Sequence, residues 1–226
     1  LPENEADCQN LSIMFATAQG NVRRNSLMDF VNVQSNGKIA MKLDEGDKLV
    51  NVMLCTEDND VMLAARSGKC IRFPVTDVRV FVGRNSTGVR GIKLAEKDEV
   101  ISMSMLKHIN ANAEQRDEYL KVSAAIKRME AEIGGDACIS PEQTGLLNLL
   151  DIEQFKQMQE REEFILTVTS TGYGKRSSSY EYRVTGRGGQ GIANMEMSAR
   201  NKEVVSSFPI ENDNQIMMVT DGGKLI

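Results

Sequence analysis

Short apolar runs alternate with polar turns along most of the chain, and the alternation repeats at a regular interval. Each repeat contains an apolar strand, a turn glycine and a second strand that opens with basic residues: FATAQGNVRR (15–24), LAARSGKCIR (63–72), TVTSTGYGKR (167–176) and MVTDGGKLI (218–226). The turn glycines are 48, 104 and 51 residues apart: Gly20, Gly68, Gly172 and Gly223. A period of roughly fifty residues is typical of proteins built from stacked structural units.

A second repeated segment follows each predicted hairpin. NVQSNGKIAMKL (32–43), GRNSTGVRGIKL (83–94) and GRGGQGIANMEM (186–197) align without a gap on Gly37, Gly88 and Gly191. Polar turns separate the remaining apolar runs, so each unit contains four short predicted strands. One small sheet cannot cover both of its apolar faces, and it must therefore pack against its neighbours. The pattern predicts an all-β, propeller-like fold of four-stranded antiparallel blades.

Three units are nearly complete and a fourth begins near the end, so about four blades are expected in a disc or an open crescent. The complete units cover residues 11–54, 61–106 and 164–210, and the fourth starts at residue 215. The last strand of the second unit is expected at residues 164–168, either shared with the third unit or adjacent to it. The sequence does not determine how strands are distributed between neighbouring blades.

One copy of the repeated loop also fits a cofactor fingerprint. Gly186, Gly188 and Gly191 match G-x-G-x-x-G, which binds a dinucleotide only where a strand leads in and a helix follows. The residues that follow, IANMEM (192–197), alternate between two faces with a period of two, which is a strand pattern. We therefore interpret these glycines as the third copy of the repeated loop and expect no cofactor to bind them.

Residues 107–163 interrupt the period and have helical character. Apolar residues recur there at steps of three and four and give one face of a helix: Tyr119, Val122, Ile126, Met129 and Ile133. Gly134 and Gly135 are expected to end this helix. A second helix is predicted to begin at SPEQ (140–143), where serine can cap it, to continue to about residue 163, and to be broken near Gly145.

This helical segment is an insertion between strands of one domain. Blades are expected at 1–106 and 164–226, with the insertion at 107–163 between them. The insertion contains seven Lys and Arg and twelve Asp and Glu, whereas the rest of the chain contains twenty of each. All of the net negative charge of the chain therefore lies in the insertion, and the sequence pI does not describe the surface of the blades.

Composition excludes several classes of protein. The chain has 226 residues and 41% hydrophobic residues, enough to bury a sizeable core. It has no run of eighteen apolar residues, and LPENEADCQN at the start lacks the features of a secretion signal, so we expect a cytoplasmic location. Its four cysteines are widely spaced and its one histidine is His108, a pattern that argues against zinc and favours reduced thiols. Both ends of the chain are typical of a fragment of a longer protein.

Basic residues in the blades concentrate at two kinds of position. One set follows the turn glycines: Arg23, Arg24, Lys69, Arg72, Lys175, Arg176 and Lys224. The other set lies in or beside the repeated loop: Arg84, Arg90, Arg187 and Gln190, the last as a polar neighbour. If equivalent positions face the same way in every blade, these residues line one rim of the fold. Cations spaced along a rim can bind the phosphates of a polyanion that curves around it. The alternative is that turns favour glycine and that Lys and Arg only solvate the surface.

These segments resemble the C-terminal domain of the DNA gyrase A subunit. The resemblance rests on VMLAARSGKCIRF and GRNSTGVRGIKL, on TGYGKRSSSYEYRVTGRGGQGI, and on QIMMVTDGGKLI, and it covers the chain except for the insertion. It implies a β-pinwheel, a propeller-like disc of usually six blades that wraps duplex DNA around a basic perimeter. The repeat itself predicts structural roles for the turn glycines Gly20, Gly37, Gly68, Gly88, Gly172 and Gly191.

The resemblance carries further expectations about activity and partners. The whole enzyme would be an ATP-dependent type II topoisomerase that introduces negative supercoils, using ATP and Mg²⁺ bound outside this fragment. Its partners would be double-stranded DNA, the rest of the gyrase A subunit, and the gyrase B subunit, in an assembly of two A and two B subunits without membrane contact. This fragment is expected to bind no cofactor and to carry no catalytic residue, because no nucleophile, base and orienting group occur together.

One departure from the family pattern weakens the expected DNA binding. The gyrase box, Q-R-R-G-G-K-G, is absent, and the nearest match, GRGGQG (186–191), has Gln190 where the family has lysine. We expect the box to lie upstream of residue 1 and the fragment alone to bind DNA weakly. Tyr173, Tyr180 and Tyr182 are interpreted as strand residues, and His108 as a surface residue. The alternatives are the equivalent domain of topoisomerase IV and a protein-binding propeller.

Overall fold

Antiparallel strands account for most of the regular secondary structure, as the repeat predicts. The structure is a computed structural model, and it describes residues 8–31, 37, 39–134 and 138–225. The strands of these residues are β1 (Ser12–Thr17), β2 (Asn21–Ser26), β3 (Leu49–Cys55), β4 (Asn59–Ala65), β5 (Lys69–Pro74), β6 (Val89–Arg90), β7 (Val100–Lys107), β8 (Phe164–Thr169), β9 (Gly174–Ser178), β10 (Ile192–Ala193) and β11 (Val204–Ile210).

The strands form three sheets within the described ranges. Their strand orders are β3-β1-β2-β6, β10-β5-β4-β7 and β11-β8-β9. The predicted propeller-like, mostly antiparallel fold with a helical insertion is confirmed, but the third sheet has three strands rather than four. In the fourth unit, the described residues contain only an isolated bridge between Val219 and Leu225. The described ranges therefore contain three blades instead of about four.

Two predicted strand positions are corrected by the pairing. β8 does not complete the second sheet, because β7 pairs along β4 and occupies that edge, while β8 pairs with β9 and β11 in the third sheet. The strand predicted over 192–197 is only two residues long. It stops because the amides of Asn194 and Met195 both donate to the carbonyl of Gly68, at 2.8 and 3.1 Å, which turns the chain away from the ladder.

Neighbouring blades are linked because the second and third units each give one strand to the blade before them. β6 belongs by sequence to the second unit, but it pairs with β2 of the first sheet. β10 belongs to the third unit, and it pairs with β5 of the second sheet. This exchange places β6 and β10 at the outer edges of their sheets.

The hydrophobic core lies between the sheets. In β4, Val61 and Leu63 face the first sheet, whereas Met62 and Ala64 face the third. A strand that is covered on both faces needs apolar residues at consecutive positions, and β4 supplies them. Full burial of one such aliphatic side chain contributes about 1.5–3 kcal/mol to stability.

The first predicted helix of the insertion forms, with a cap that its sequence supplies. α1 (Ala113–Ile133) begins after Asn112, whose side chain accepts a hydrogen bond from the Gln115 amide at 2.9 Å, and it ends at Gly134. Tyr119, Val122 and Ile126 are buried as the pattern predicts. Ile133, at the end of the predicted apolar face, is 62% exposed, which corrects that part of the prediction.

The second predicted helix starts later than expected. Residues 141–144 form only a 3-10 turn, and α2 (Ile152–Arg161) begins after Asp151. The delay has a physical cause in the buried carboxylate of Glu118. Its oxygens accept hydrogen bonds from the amides of residues 148–150, which fixes that backbone in a turn rather than a helix.

The insertion packs against the third unit through aromatic contacts. The ring of Tyr180 meets Tyr119 edge-on with centroids 5.1 Å apart, and its hydroxyl donates to the Met158 carbonyl at 2.8 Å. Tyr180 lies in a 3-10 turn rather than in a strand, Tyr182 directly follows that turn, and Tyr173 precedes β9, so the strand assignment of these tyrosines is wrong. Burial raises the pKa of Tyr182 to about 12.

His108 is not an isolated surface residue. Its Nδ1 lies 2.8 Å from a carboxylate oxygen of Asp60, which is fully buried. The other oxygen of Asp60 accepts a hydrogen bond from Nε of Arg72 at 2.8 Å. The remaining guanidinium nitrogens of Arg72 donate to the carbonyls of Lys107 and Ser179, at 3.0 and 2.7 Å. This cluster joins the second blade, the start of the insertion and the third unit.

Candidate nucleic-acid interface

Two glycine loops precede the edge strands β6 and β10 of the first two blades, and we call this side of the two sheets the outer edge. We call residues 83–88 loop A and residues 186–191 loop B. Before loop A, the Phe81 amide donates to the carbonyl of a residue in β2, at 2.8 Å, and after the loop β6 pairs with β2. Before loop B, the Thr185 amide makes the same contact with β5 at 2.8 Å, and after the loop β10 pairs with β5. Both loops therefore bulge outward from equivalent strands.

Glycine at the end of each loop is required by a close backbone approach. Gly88 has φ +89° and Gly191 has φ +74°, in the left-handed region. A Cβ atom added at Gly88 would lie 2.3 Å from the carbonyl oxygen of Val22, and one at Gly191 would lie 2.3 Å from that of Cys70. The other predicted turn glycines also have positive φ: Gly20, Gly37, Gly68 and Gly172.

Each outer strand pair presents one exposed cation. In the first blade, Arg90 of β6 lies opposite Asn21 of β2. In the second blade, Lys69 of β5 lies opposite Ala193 of β10. The two residue pairs are equivalent in the repeat, but the cation is on β6 in the first blade and on β5 in the second. Both side chains are exposed, and no carboxylate of the described residues lies within ion-pair distance of either one.

The two loop arginines occupy matched positions and make matched contacts. Arg84 of loop A donates from Nη1 to the carbonyl of Ile39 at 3.1 Å. Arg187 of loop B donates from Nη1 to the carbonyl of Arg90 at 3.1 Å, and from Nε to the carbonyl of Asp77 at 2.9 Å. Both arginines thus occupy equivalent positions in successive units.

Most of the remaining exposed candidates lie in loop B and the third blade, and Lys224 is exposed in the fourth unit. Gln190 is exposed in loop B. Lys175 and Arg176 are exposed on β9, where Lys175 pairs with Glu181 at 3.2 Å. Arg176 donates to Asn212 at 2.6 Å, and its guanidinium lies 3.9 Å from the ring centroid of Phe164.

Three of the arginines expected on the rim are instead buried. Arg23 is fully buried, Arg24 is 5% exposed and Arg72 is 2% exposed. Arg24 donates to Ser12 and Glu57, both at 3.0 Å, and Arg72 holds Asp60 as described above. Adjacent residues of a strand point to opposite faces, and here loop A covers Arg23 on one face while Ser12 and Glu57 contact Arg24 on the other. These side chains are structural in this arrangement, and we remove them from the proposed interface.

Arg23 supports loop A from beneath. Its guanidinium donates to the carbonyls of Ser86, at 2.8 Å, and Gly83. Burial lowers the pKa of Arg23. The equivalent residue beneath loop B is Ile71, which cannot make these bonds, and a cavity of about 230 Å³ lies there. The two loops are therefore alike at their outer surface and different at their base.

Sequence reasoning missed one matched pair of exposed arginines. Arg79 and Arg183 lie at equivalent places in the segments that lead into loops A and B. Each directly precedes a valine that bridges to the neighbouring blade: Val80 bridges to β2 and Val184 to β5. The guanidinium of Arg79 stacks 4.4 Å from the centroid of the Phe81 ring. The repeated RV dipeptide a few residues before each loop was the available signal.

The comparisons with known proteins agree with this architecture. The family model described as "DNA gyrase C-terminal domain, beta-propeller" matches residues 12–56, 59–107 and 163–210. These segments include the three hairpins and leave out the core of the insertion. The chain belongs to this family.

Curated relatives of this gyrase C-terminal domain are similar over its whole length. The A subunit of DNA gyrase from Rickettsia bellii (strain RML369-C) is 51% identical over 226 residues, which cover all of this chain and 24% of that protein. The A subunit of DNA gyrase from Escherichia coli (strain K12) is 31% identical over 226 residues, all of this chain and 20% of that protein. The domain thus spans about a quarter of these relatives.

Two solved structures share the fold of this gyrase C-terminal domain. The C-terminal domain of DNA topoisomerase IV superposes with a TM-score of 0.66 at 17% identity, over 96% of this chain and 51% of that one. The DNA gyrase A C-terminal domain superposes with a TM-score of 0.64 at 20% identity, over 96% of this chain and 55% of that one. Both confirm the predicted β-pinwheel architecture.

The described part of the gyrase C-terminal domain offers little for other chemistry. No group of three or more His, Cys, Asp or Glu side chains in these ranges is placed to hold a metal ion. Burial raises the pKa of Cys70 to about 12 and that of Cys55 to about 11, so both thiols stay protonated at neutral pH. None of the helices in the described ranges has the length and apolar character to span a bilayer.

Proposed function

We propose that this domain binds duplex DNA along its outer edge and bends it, as part of a gyrase A subunit. The observation that carries the proposal is the pair of matched glycine loops on successive blades. Arginines lie before and within each loop at equivalent positions, Arg79 with Arg84 and Arg183 with Arg187. Arg84 is half-buried and the other three are exposed. Cations that recur with the blades provide repeated phosphate contacts along a curved path.

The chemistry of the edge favours backbone contacts over reading of bases. The loops are rich in glycine, so the polypeptide backbone can approach the duplex closely, and the exposed cations lie in loops and on strands rather than on a helix that could enter a groove. Bending a site of 20–30 base pairs by 40–90° costs about 1–6 kcal/mol by elastic estimates. Several phosphate contacts on successive blades are needed to offset this cost.

The proposed role in the whole enzyme follows from the family and its relatives. Curated relatives that match the whole chain are named as the A subunit of DNA gyrase, and this favours gyrase over the topoisomerase IV alternative. In the complete assembly of two A and two B subunits, the bent duplex would favour one handedness of DNA crossing. The enzyme would then use ATP and Mg²⁺, bound outside this domain, to introduce negative supercoils in the cytoplasm.

Salt titration of DNA binding tests the proposal in the full-length A subunit. Lys69→Gln and Arg90→Gln each remove one exposed cation of the outer edge. We expect each to reduce the slope of log affinity against log salt by about 0.9, because one phosphate contact is lost. Lys202→Gln removes an exposed cation that precedes β11, outside both loops, and is expected to leave the slope unchanged.

Ligation of DNA circles in the presence of the full-length protein measures the bending component. We expect the wild type to change the linking number of the closed circles and the double variant Lys69→Gln/Arg90→Gln to change it less. A salt response that the two edge substitutions leave unaltered would contradict the proposed interface. It would favour a protein-binding role for the blades.

A further inference from the structure

Arg84 and Arg187 make the same contact at successive steps of the repeat. In the gap-free alignment of the loops, both arginines hold the second position, and their acceptors Ile39 and Arg90 both hold the eighth. In each case Nη1 of the arginine donates to the carbonyl of the preceding unit at 3.1 Å. A single contact of this kind can arise by chance, but its recurrence indicates a role in joining one unit to the next.

Loop B is attached to the preceding unit by further hydrogen bonds. Nε of Arg187 donates to the Asp77 carbonyl at 2.9 Å, and the amide of Gly188 donates to the Gly91 carbonyl at 2.6 Å. In the other direction, the amide of Lys93 donates to the Gly189 carbonyl at 2.8 Å. The position of loop B relative to the second unit is therefore fixed by side-chain and backbone bonds together.

The guanidinium of Arg187 is directed along the edge rather than away from it. Two of its nitrogens donate to carbonyls of the preceding unit, and these acceptors are neutral, so the positive charge is not compensated. Lysine cannot reproduce this geometry, because its ammonium is a point donor without the planar fork of arginine. Charge and geometry at this position can therefore be separated by substitution.

We propose that Arg84 and Arg187 are inter-blade clasps, positioning residues that set the spacing between successive glycine loops and so the curvature of the bound duplex. This inference rests on the proposed function, because the curvature concerns DNA on the same edge. A bent duplex resists its bending and pushes neighbouring loops apart. Bonds that join one loop to the preceding unit oppose that displacement.

A measurement without DNA tests the clasp itself. In the full-length A subunit, Arg187→Lys retains the charge and removes the forked contact with the carbonyls of Asp77 and Arg90. We expect the amides of Gly188 and Lys93 to exchange hydrogen at least tenfold faster in this variant, because the bonds they make across the same junction lose their support. Exchange at the wild-type rate would overturn the clasp, whatever the DNA result.

A second measurement with DNA tests its consequence for curvature. Energy transfer between dyes at the two ends of a short bound duplex reports the bend, and the salt slope reports the number of phosphate contacts. We expect Arg187→Lys to lower the transfer efficiency towards that of free DNA while the slope stays at the wild-type value. Arg90→Gln is the matched comparison, for which we expect the slope to fall by about 0.9.

One combination of results from two Arg187 variants would overturn the proposal. If Arg187→Lys bends DNA like the wild type, and Arg187→Gln lowers the slope by about 0.9 at an unchanged bend, then Arg187 is a simple phosphate contact and the proposal is wrong. In that case the proposed DNA interface would stand. If the wild-type protein shows no salt-dependent binding through this edge, the proposed function fails, and the hydrogen-exchange result still decides whether the clasp exists.

Discussion

Replacing Asp60 with asparagine is expected to lower the free energy of unfolding by about 3–5 kcal/mol, because it leaves the buried charge of Arg72 without its counter-ion. Both side chains are almost completely removed from solvent, and their atoms are 2.8 Å apart. The same substitution weakens the contact with His108, so the junction between the second blade and the insertion should loosen as well. Urea unfolding of the chain, followed by circular dichroism, measures the effect.

The equivalent arginine in the first blade provides the control. Arg24 occupies the same repeat position as Arg72, and it pairs with Glu57 at 3.0 Å, but the Glu57 side chain is 73% exposed. Ion pairs with an exposed partner contribute about 0–1 kcal/mol, so Glu57→Gln is expected to change stability by less than about 1 kcal/mol. Equal losses in the two variants would show that Arg72 does not depend on Asp60 for its charge compensation.

Replacing Gly68 with alanine is expected to be the second strongly destabilising change. Gly68 has φ +83°, and a Cβ atom there would lie 2.4 Å from the carbonyl oxygen of Met195. The new methyl group must displace this backbone, and the carbonyl of Gly68 itself accepts the amides of Asn194 and Met195. The substitution should therefore also detach β10 and shift loop B, which makes weaker DNA binding an expected consequence.

Gly172 permits a matched measurement of this effect. It holds the equivalent turn position in the third blade with φ +83°, but no heavy atom of the described residues lies within 4 Å of the position of its Cβ. Gly172→Ala should cost about 1–2 kcal/mol from backbone strain alone. Gly68→Ala should cost about 1–3 kcal/mol more, because the methyl group is forced into packed backbone. Equal urea midpoints for the two variants would contradict the close approach.

Part of the candidate interface could be predicted from the sequence, because a residue's place within a repeated segment can be read from the residues next to it. The repeated loop located Arg84 and Arg187 at matched places, and in the structure the two side chains make matched hydrogen bonds. The basic residues after the turn glycines were treated as one group, and this was the error. Position after the turn glycine does not decide exposure, because Arg72 is buried whereas Arg176, at the same offset from its own turn glycine, is exposed.

In the insertion, the first helix could be predicted from neighbouring residues, whereas the start of the second helix could not. Its first helix was predictable because its cap and apolar face lie within the helix itself. The late start of α2 depends on Glu118, whose carboxylate accepts the amides of residues about thirty positions away. No local pattern specifies such a contact, because it exists only after the two segments have packed together.

Local patterns along the chain were sufficient to predict the repeat, most of the strands and helices and the glycine positions, because periodicity, turn chemistry and capping act over a few neighbouring residues. Packing between units, which no local pattern specifies, sets which blade receives β6 and β10, which arginines are buried and which carbonyls Arg84 and Arg187 contact. Those outcomes depend on how one unit wraps around the edge of the previous one. Whether a charged side chain is exposed depends on the residues that pack around it. Some of these residues are distant in sequence, as Ser179 is from Arg72, which donates a hydrogen bond to it across 107 positions.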